Sequence, residues 1–449
     1  MSRGVTWLAV AASVVAYTLV SFFVPRTDSA WLLGTWPVLF IAYWVLTTQS
    51  ELATKHVILL GLVFRVLFLF SLPALSDDFY RFVWDGRLWH AGIHPFLFVP
   101  SQLVDRGLPG IDQALFQLLN SKEYFTVYPP FSQAVFWFSV TLSPASVYGS
   151  MLIMKITLLL AEAGTLLLLV ALLRMLGLPE RNLGWYAFNP LAIVELTGNL
   201  HFEGIMIFFF LLAIWLLQKK RHLLAALSWS LAIAVKLLPI IFLPVLLFHL
   251  GLKRATLFYL YVALFSLALF SPLYSQQVVD GFSEGLRYYF QKFEFNASIY
   301  YLVREWGFAY YGYNIVQTVG WKLALVATLL MLSISWGLPR YFFQTKAGSL
   351  NLAQFFALCA LMLTTYLLFS TTVHPWYVVP VVALHCLGTF RFGMVWSALI
   401  FLTYAGYRAT GYHENLWIVA VEYLVVMGFL IWELSSPKFR MTKPLQHLA

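Results

Sequence analysis

Seven ionisable side chains fall within eighteen positions of SDDFYRFVWDGRLWHAGIHPF, residues 76–96: Asp77, Asp78, Arg81, Asp85, Arg87, His90 and His94. Carboxylates beside cations are the material of acid–base chemistry. An ionised carboxylate takes a proton from a hydroxyl, and nearby cations stabilise its charge. In a helix Asp77, Arg81 and Asp85 recur one turn apart and share a face. A solvated loop with a salt bridge or two would account for the same charges. Against that stands the aromatic content: Tyr80, Phe82, Trp84 and Trp89 are interleaved, and a rigid Gly-Ile-His-Pro-Phe turn follows.

Other clusters lie further along. NPLAIVELTGNLHFEG (189–204) sets Asn199, His201 and Glu203 between two apolar segments, with Glu195 inside one of them. A charge inside an apolar segment is costly and tends to mark function. AIAVKLLPIIFLPVLL (232–247) brackets Lys236 with apolar residues. That lysine must snorkel, pair, or bind an anion such as a lipid phosphate. RYYFQKFEFNASIYYLVREWG (287–307) scatters Arg287, Lys292, Glu294 and Arg304 among aromatics. Its Asn-Ala-Ser triplet (296–298) fits a glycosylation acceptor, a weak three-residue match. TTVHPWYVVP (371–380) sets His374 beside Trp376, either to cap a helix or to bind a phosphate or sugar hydroxyl. YPPFSQ (128–133) stiffens the entry to the next helix. Lys155 and Glu162, seven apart on one helical face, read as stabilisers of the bundle. Aromatic faces with carboxylates suit sugar rings, and cations beside them suit a phosphate leaving group.

The elements that carry these residues are membrane helices. Of 449 residues, 61% are hydrophobic and 18% aromatic, and the mean hydropathy is +0.80; a soluble domain is about 45–50% apolar. Continuous runs such as 152–173 do not alternate as barrel strands do. The expected fold is all-α, a polytopic transmembrane bundle of about 13–15 helices in a single domain, 1–449. Apolar runs fall at 5–24, 31–48, 57–75, 149–174, 183–198, 203–218, 223–236, 238–251, 255–272, 313–338, 350–371, 375–390, 393–408 and 415–434. The first reads as an uncleaved anchor. Residues 131–146 are apolar too, and are expected to form a short, tilted or re-entrant helix. DQALFQLLNSKEYF (112–125) reads as a helix on the membrane surface.

The net charge of +9 resides mostly in short connectors: QKKRH (218–222), Lys253–Arg254 and the tail 436–447. Basic connectors face the cytoplasm. Both termini then lie inside, and loops 76–130, 199–202, 273–312, 372–375 and 409–414 lie outside. No nucleic-acid module is present. The two cysteines, Cys359 and Cys386, sit in apolar segments and give no zinc or disulfide pattern.

Taken together, the acidic stretch, YPPFSQ, NPLAIVELTGNLHFEG, AVKLLP and HPWY resemble the GT-C superfamily of integral-membrane glycosyltransferases, in particular its polyprenyl-phosphate-mannose-dependent mannosyltransferases. The resemblance spans roughly residues 60–380. It implies a many-helix fold with surface helices in the first outer loop. It implies transfer of a hexose, mannose first, from a polyprenyl-phosphate donor to a hydroxyl of a lipid or glycan acceptor, with inversion. Asp77 takes the role of general base and Asp78 or Asp85 supports it. Lys236, Arg287 and His374 hold the leaving phosphate. Arg81, Arg87, His201 and Glu203 complete the substrate site. The chemistry requires no metal or other cofactor. The expected location is a bacterial inner membrane, with the site facing the periplasm or exterior among membrane lipids. Two other readings are a transporter or flippase and a surface-polysaccharide polymerase. Transporter sites sit near the midplane on broken helices, often with internal repeats; here charge gathers at one face and no repeat is evident.

Overall fold

The computed structural model describes residues 3–341, 350–388 and 390–436, which form the all-α polytopic bundle expected. The basic tail after residue 436, one of the three basic segments that mark orientation, lies outside the described residues. Seven described helices are long and apolar enough to cross a membrane: Arg3–Phe22, Ser29–Thr48, Val147–Met175, Leu252–Leu273, Val316–Pro339, Leu352–Phe369 and Leu416–Ser435. Shorter apolar helices, His222–Val235, Leu238–Leu250, Pro375–Cys386 and Phe392–Gly406, complete the bundle. Outward faces remain apolar. Leu257, Leu260, Leu264 and Leu267 are exposed on one helix, and Val421, Leu424 and Ile431 on another, a surface suited to lipid.

Residues 183–198 do not make the separate straight span expected of them. Two arms, Pro190–Gly198 and Glu203–Gln218, meet at 111°. Asn189 opens the first arm, its side chain accepting from the Ala192 amide at 3.2 Å. The arm then widens into a π-helical turn over Ile193–Gly198, a geometry frequent at functional sites. Leu200, at φ 66°, turns the chain back. Buried polar groups fix this corner. The Glu195 carboxylate accepts from the Tyr404 hydroxyl at 2.8 Å and from Asn199 Nδ2 at 3.2 Å. Asn199 Oδ1 in turn accepts from the Leu75 amide at 3.1 Å, just before the acidic stretch. The intramembrane carboxylate singled out in the sequence therefore shapes the backbone around the site.

The stretch 131–146 forms the 13-residue helix Pro130–Leu142. At 1.5 Å per residue it is about 20 Å long, too short for a hydrocarbon core of about 30 Å. Its start is tied to the end of His222–Val235 by Ser132 Oγ donating to the Val235 carbonyl at 2.9 Å. Just beyond its finish, the Tyr148 hydroxyl donates to the Phe70 carbonyl at 2.9 Å. The helix is short, as expected, and is tied at both ends to neighbouring elements. Against it packs Asp78–His90, with Phe82 stacked on Phe136 at 4.6 Å. Gly86 permits that approach: a Cβ there would stand 2.5 Å from the Phe136 carbonyl oxygen.

Inside the bundle, buried charged groups are hydrogen-bonded. Arg65 donates to Glu162 at 2.7 Å and to the carbonyls of Gly61 and Ala187 at 2.9 Å each. Tyr186 donates to the other Glu162 oxygen at 2.7 Å. Lys155 donates to the Phe68 and Ser71 carbonyls at 2.8 and 2.7 Å, closing the turns after Thr54–Val66. These groups hold the bundle together, as the spacing of Lys155 and Glu162 implied. Asn296, of the Asn-Ala-Ser triplet, is fully buried and donates to Glu422, so it has no room for a glycan.

Both Arg65 and Glu162 are fully buried. Glu162→Ala is expected to cost about 3–5 kcal/mol, because it leaves the guanidinium buried without its anion. Unfolding of the purified protein in detergent measures this; an unchanged transition would show that the pair carries no stability.

Candidate active site

The acidic helix Asp78–His90 presents its two faces to different tasks. Arg81 and Asp85, one turn apart, turn inward and pair at 2.8 Å, both almost completely buried. Gln133 Nε2 donates to the other Asp85 oxygen at 2.9 Å and to Thr126 Oγ1 at 3.1 Å, while its Oε1 accepts from Trp89 Nε1 at 3.0 Å. Arg81 also donates to the carbonyls of Ser121 and Tyr124 at 3.0 and 2.9 Å. This network ties the acidic helix, Pro130–Leu142 and the loop around 121–126 into one support.

Above it stand Asp77 and Asp78. Asp77 does not share the inward face with Arg81 and Asp85; it occupies the N-cap position and pairs with Arg26. Asp78 Oδ1 accepts from Asn120 Nδ2 at 2.7 Å. Two cavities open around them. The first, about 360 Å³, is polar and aromatic, with Arg26, Asp77, Asn120, Glu294, Tyr407 and Tyr412 in its wall. The second, about 330 Å³, is mostly apolar, with Phe202, Leu237, Ile241, Leu286 and Leu367 in its wall and His201, Glu203 and Lys236 among its polar groups. Asp78, Val127, Tyr128, His374 and Trp376 line both. The shared wall is where contents of the two cavities meet.

In the apolar cavity, Lys236 follows directly on His222–Val235 in extended backbone. It pairs with Glu203, and its ammonium stands 4.2 Å from the centre of the Tyr377 ring. His201 stacks on Trp376 at 3.6 Å, and Trp376 stacks on His374 at 4.4 Å. Burial holds the His374 pKa well below the ordinary imidazole range, and the charges of His201 and Lys236 push it the same way. His374 is thus neutral at physiological pH, a hydrogen-bonding group and not a cation. In the polar cavity, burial pushes the Tyr407 phenol up to about 12; Arg26 opposes the rise, and Asp78 and Asp77 add to it. Tyr407 stays protonated beside the two carboxylates.

Of the residues selected from sequence, Asp77, Asp78, His201, Glu203, Lys236 and His374 line the cavities, and Arg81 reaches the floor of the first. Asp85 lies behind Arg81 and lines neither cavity, so its support of the acidic pair is indirect. Arg87 projects from another side of the helix and donates to the Gly110 carbonyl at 2.5 Å. Arg287 is exposed and outside both cavities, because its helix Gln276–Gln291 contributes Leu286 and Tyr288 instead. Arg26, Asn120 and Tyr407 were not selected. A trace of Arg26 was available: it is a lone arginine in a connector between apolar runs that the charge rule sets outside. Nothing in local spacing linked Asn120 or Tyr407 to the aspartates.

The family model for the alpha-(1->6)-mannopyranosyltransferase N-terminal domain (MptA_B family) matches residues 1–251. No curated protein matches the chain significantly. The match covers more than half of the chain, and the chain belongs to this family. It is a multi-pass membrane mannosyltransferase, and the acidic pair, Glu203 and Lys236 all fall within the matched part.

Arg81→Met is expected to strip Asp85 of its cation and free the carbonyls of Ser121 and Tyr124. The expected cost is about 3–5 kcal/mol, together with faster proteolysis of residues 119–125. Wild-type melting and wild-type cleavage together would remove Arg81 from its supporting role.

Proposed function

We propose that the protein transfers mannose from a polyprenyl-phosphate donor to a glycan hydroxyl, with Asp78 as general base and inversion at the anomeric carbon. The observation that carries this reading is the position of Asp78 on the wall common to both cavities. A lipid-linked phosphate fits the apolar cavity, its anionic head beside Lys236. A glycan acceptor fits the polar cavity, where Tyr407, Tyr412 and Trp376 offer ring faces and hydroxyls.

In the reaction, Asp78 accepts the proton of the acceptor hydroxyl as its oxygen attacks the anomeric carbon. The bond from that carbon to the phosphate oxygen breaks, and polyprenyl phosphate leaves with the electron pair. Lys236 stabilises the added phosphate charge, a contact worth more in the transition state than in the ground state. Asp77, neutralised by Arg26, orders the acceptor side. The sequence favoured Asp77 as base; its pairing with Arg26 and its distance from the apolar cavity favour Asp78. Inversion, combined with an α-(1→6) product as the family description has it, calls for a β-linked donor.

Orientation follows from charge. Lys219, Lys220 and Arg221 lie past the far end of Glu203–Gln218 from Glu203. Basic connectors stay in the cytoplasm, so the site opens on the outer face of the cytoplasmic membrane, in a bacterium the periplasmic side. Donor and acceptor would both reach it from there.

The test compares Asp78→Asn with Asp77→Asn, using polyprenyl-phosphate mannose and a mannan oligosaccharide. General-base catalysis is worth about 10²–10⁴-fold. Asp78→Asn is expected to lose kcat in that range, and Asp77→Asn to lose less and chiefly in KM for the acceptor. An Asp78→Asn enzyme near wild-type turnover would sink the base assignment.

A further inference from the structure

His201 is hydrogen-bonded at one ring nitrogen and, among the described residues, left without a partner at the other. Its Nδ1 stands 2.9 Å from the Glu195 carbonyl oxygen and 3.2 Å from a Glu195 carboxylate oxygen. A carbonyl accepts only, so Nδ1 carries a hydrogen and donates it. The ring is clamped flat against Trp376. The residue is 3% exposed, and its Nε2 has no hydrogen-bond partner among the described residues. A buried polar atom left without a partner costs free energy, and here His201 lines the apolar cavity that also holds Lys236. An orphaned polar atom on a ring of fixed orientation, in a cavity that also carries Lys236, is a ligand contact waiting for its ligand.

We infer that His201 Nε2 donates a hydrogen bond to the phosphate of the lipid bound in the apolar cavity, with Glu195 as the residue that positions the ring. This rests on the donor reading above and extends it to a second phosphate contact. The ligand chemistry is an anionic phosphate monoester or diester on a long apolar chain. With Nδ1–H committed to Glu195, the second ring N–H belongs to the imidazolium. Phosphate gains charge as it leaves, so the contact strengthens along the reaction. The bent pair Pro190–Gly198 and Glu203–Gln218 acquires a reason: its corner brings His201 to the cavity while its π-turn keeps Glu195 behind the ring.

The test measures binding of a short polyprenyl phosphate and of the matching polyprenol to the full-length protein in detergent, with inorganic phosphate as a third ligand. Wild type is expected to prefer the lipid phosphate to the alcohol and to bind inorganic phosphate poorly. His201→Gln should lose about tenfold or more in affinity for the lipid phosphate and little for the alcohol. Glu195→Gln should lose less, again for the phosphate only, a selectivity that mere loosening of the fold would not produce. Acylation of the wild type by diethyl pyrocarbonate, mapped by mass spectrometry, gives a readout that needs no variant. Lipid phosphate should protect His201, and polyprenol should not. Equal losses for both ligands in His201→Gln, no loss at all, or equal protection by both would overturn the inference. Tight binding of inorganic phosphate alone would mean a free anion site and would overturn it too. If wild type itself does not distinguish lipid phosphate from alcohol, the donor reading fails, a different result from a wild type that distinguishes them and a His201→Gln that still does.

Discussion

The buried pair of Arg81 and Asp85 is the contact on which the site depends. Ion pairs taken out of water are stable only when their remaining hydrogen-bonding groups are met. Gln133 meets the carboxylate and the carbonyls of Ser121 and Tyr124 meet Nη1 of the guanidinium, while Nη2 has no partner among the described residues. The same bonds therefore fix the acidic helix, the short helix Pro130–Leu142 and the loop that supplies Asn120. Remove the pair and Asp78 loses the frame that keeps it on the wall between two cavities.

That wall divides two cavities of different character. One cavity is apolar with a few charged groups at one edge, and the other is polar with phenol and indole surfaces. A single carboxylate reaching both can act on a sugar that arrives by lipid and a hydroxyl that arrives by water. In the apolar cavity Lys236 pairs with Glu203, and Glu195 stands behind the His201 ring. Such pairing keeps the empty site tolerable in surroundings where free charge is expensive. It also leaves Lys236 able to exchange its carboxylate for a phosphate.

The fold class was legible because membrane helices declare themselves by composition alone. Asp77, Asp78, Glu203, Lys236 and His374 were legible for a related reason: a polar group in so apolar a chain is conspicuous. Connectivity was not legible in the same way. Residues 183–198 have the hydropathy of a span, yet Asn189–Pro190, the π-turn and the backbone at Leu200 break it. Hydropathy averages over such corners. Arg87 and Arg287 carried the right charge but the wrong direction, since spacing within a loop does not tell which face of its helix will pack. Arg26, Asn120 and Tyr407 come from three distant parts of the chain and meet only in the folded bundle.

The central claim is that two substrates meet at one carboxylate, with lipid phosphate on the far side of the bond that breaks. It is tested most directly by the stereochemistry of a single transfer. Purified protein would be given mannose β-linked to polyprenyl phosphate, its α-linked counterpart or a nucleotide-linked mannose, with product configuration read by NMR. The account predicts transfer from the β-linked lipid alone, giving an α-mannosidic product. Transfer from the nucleotide sugar, or retention of configuration from the α-linked lipid, would contradict it.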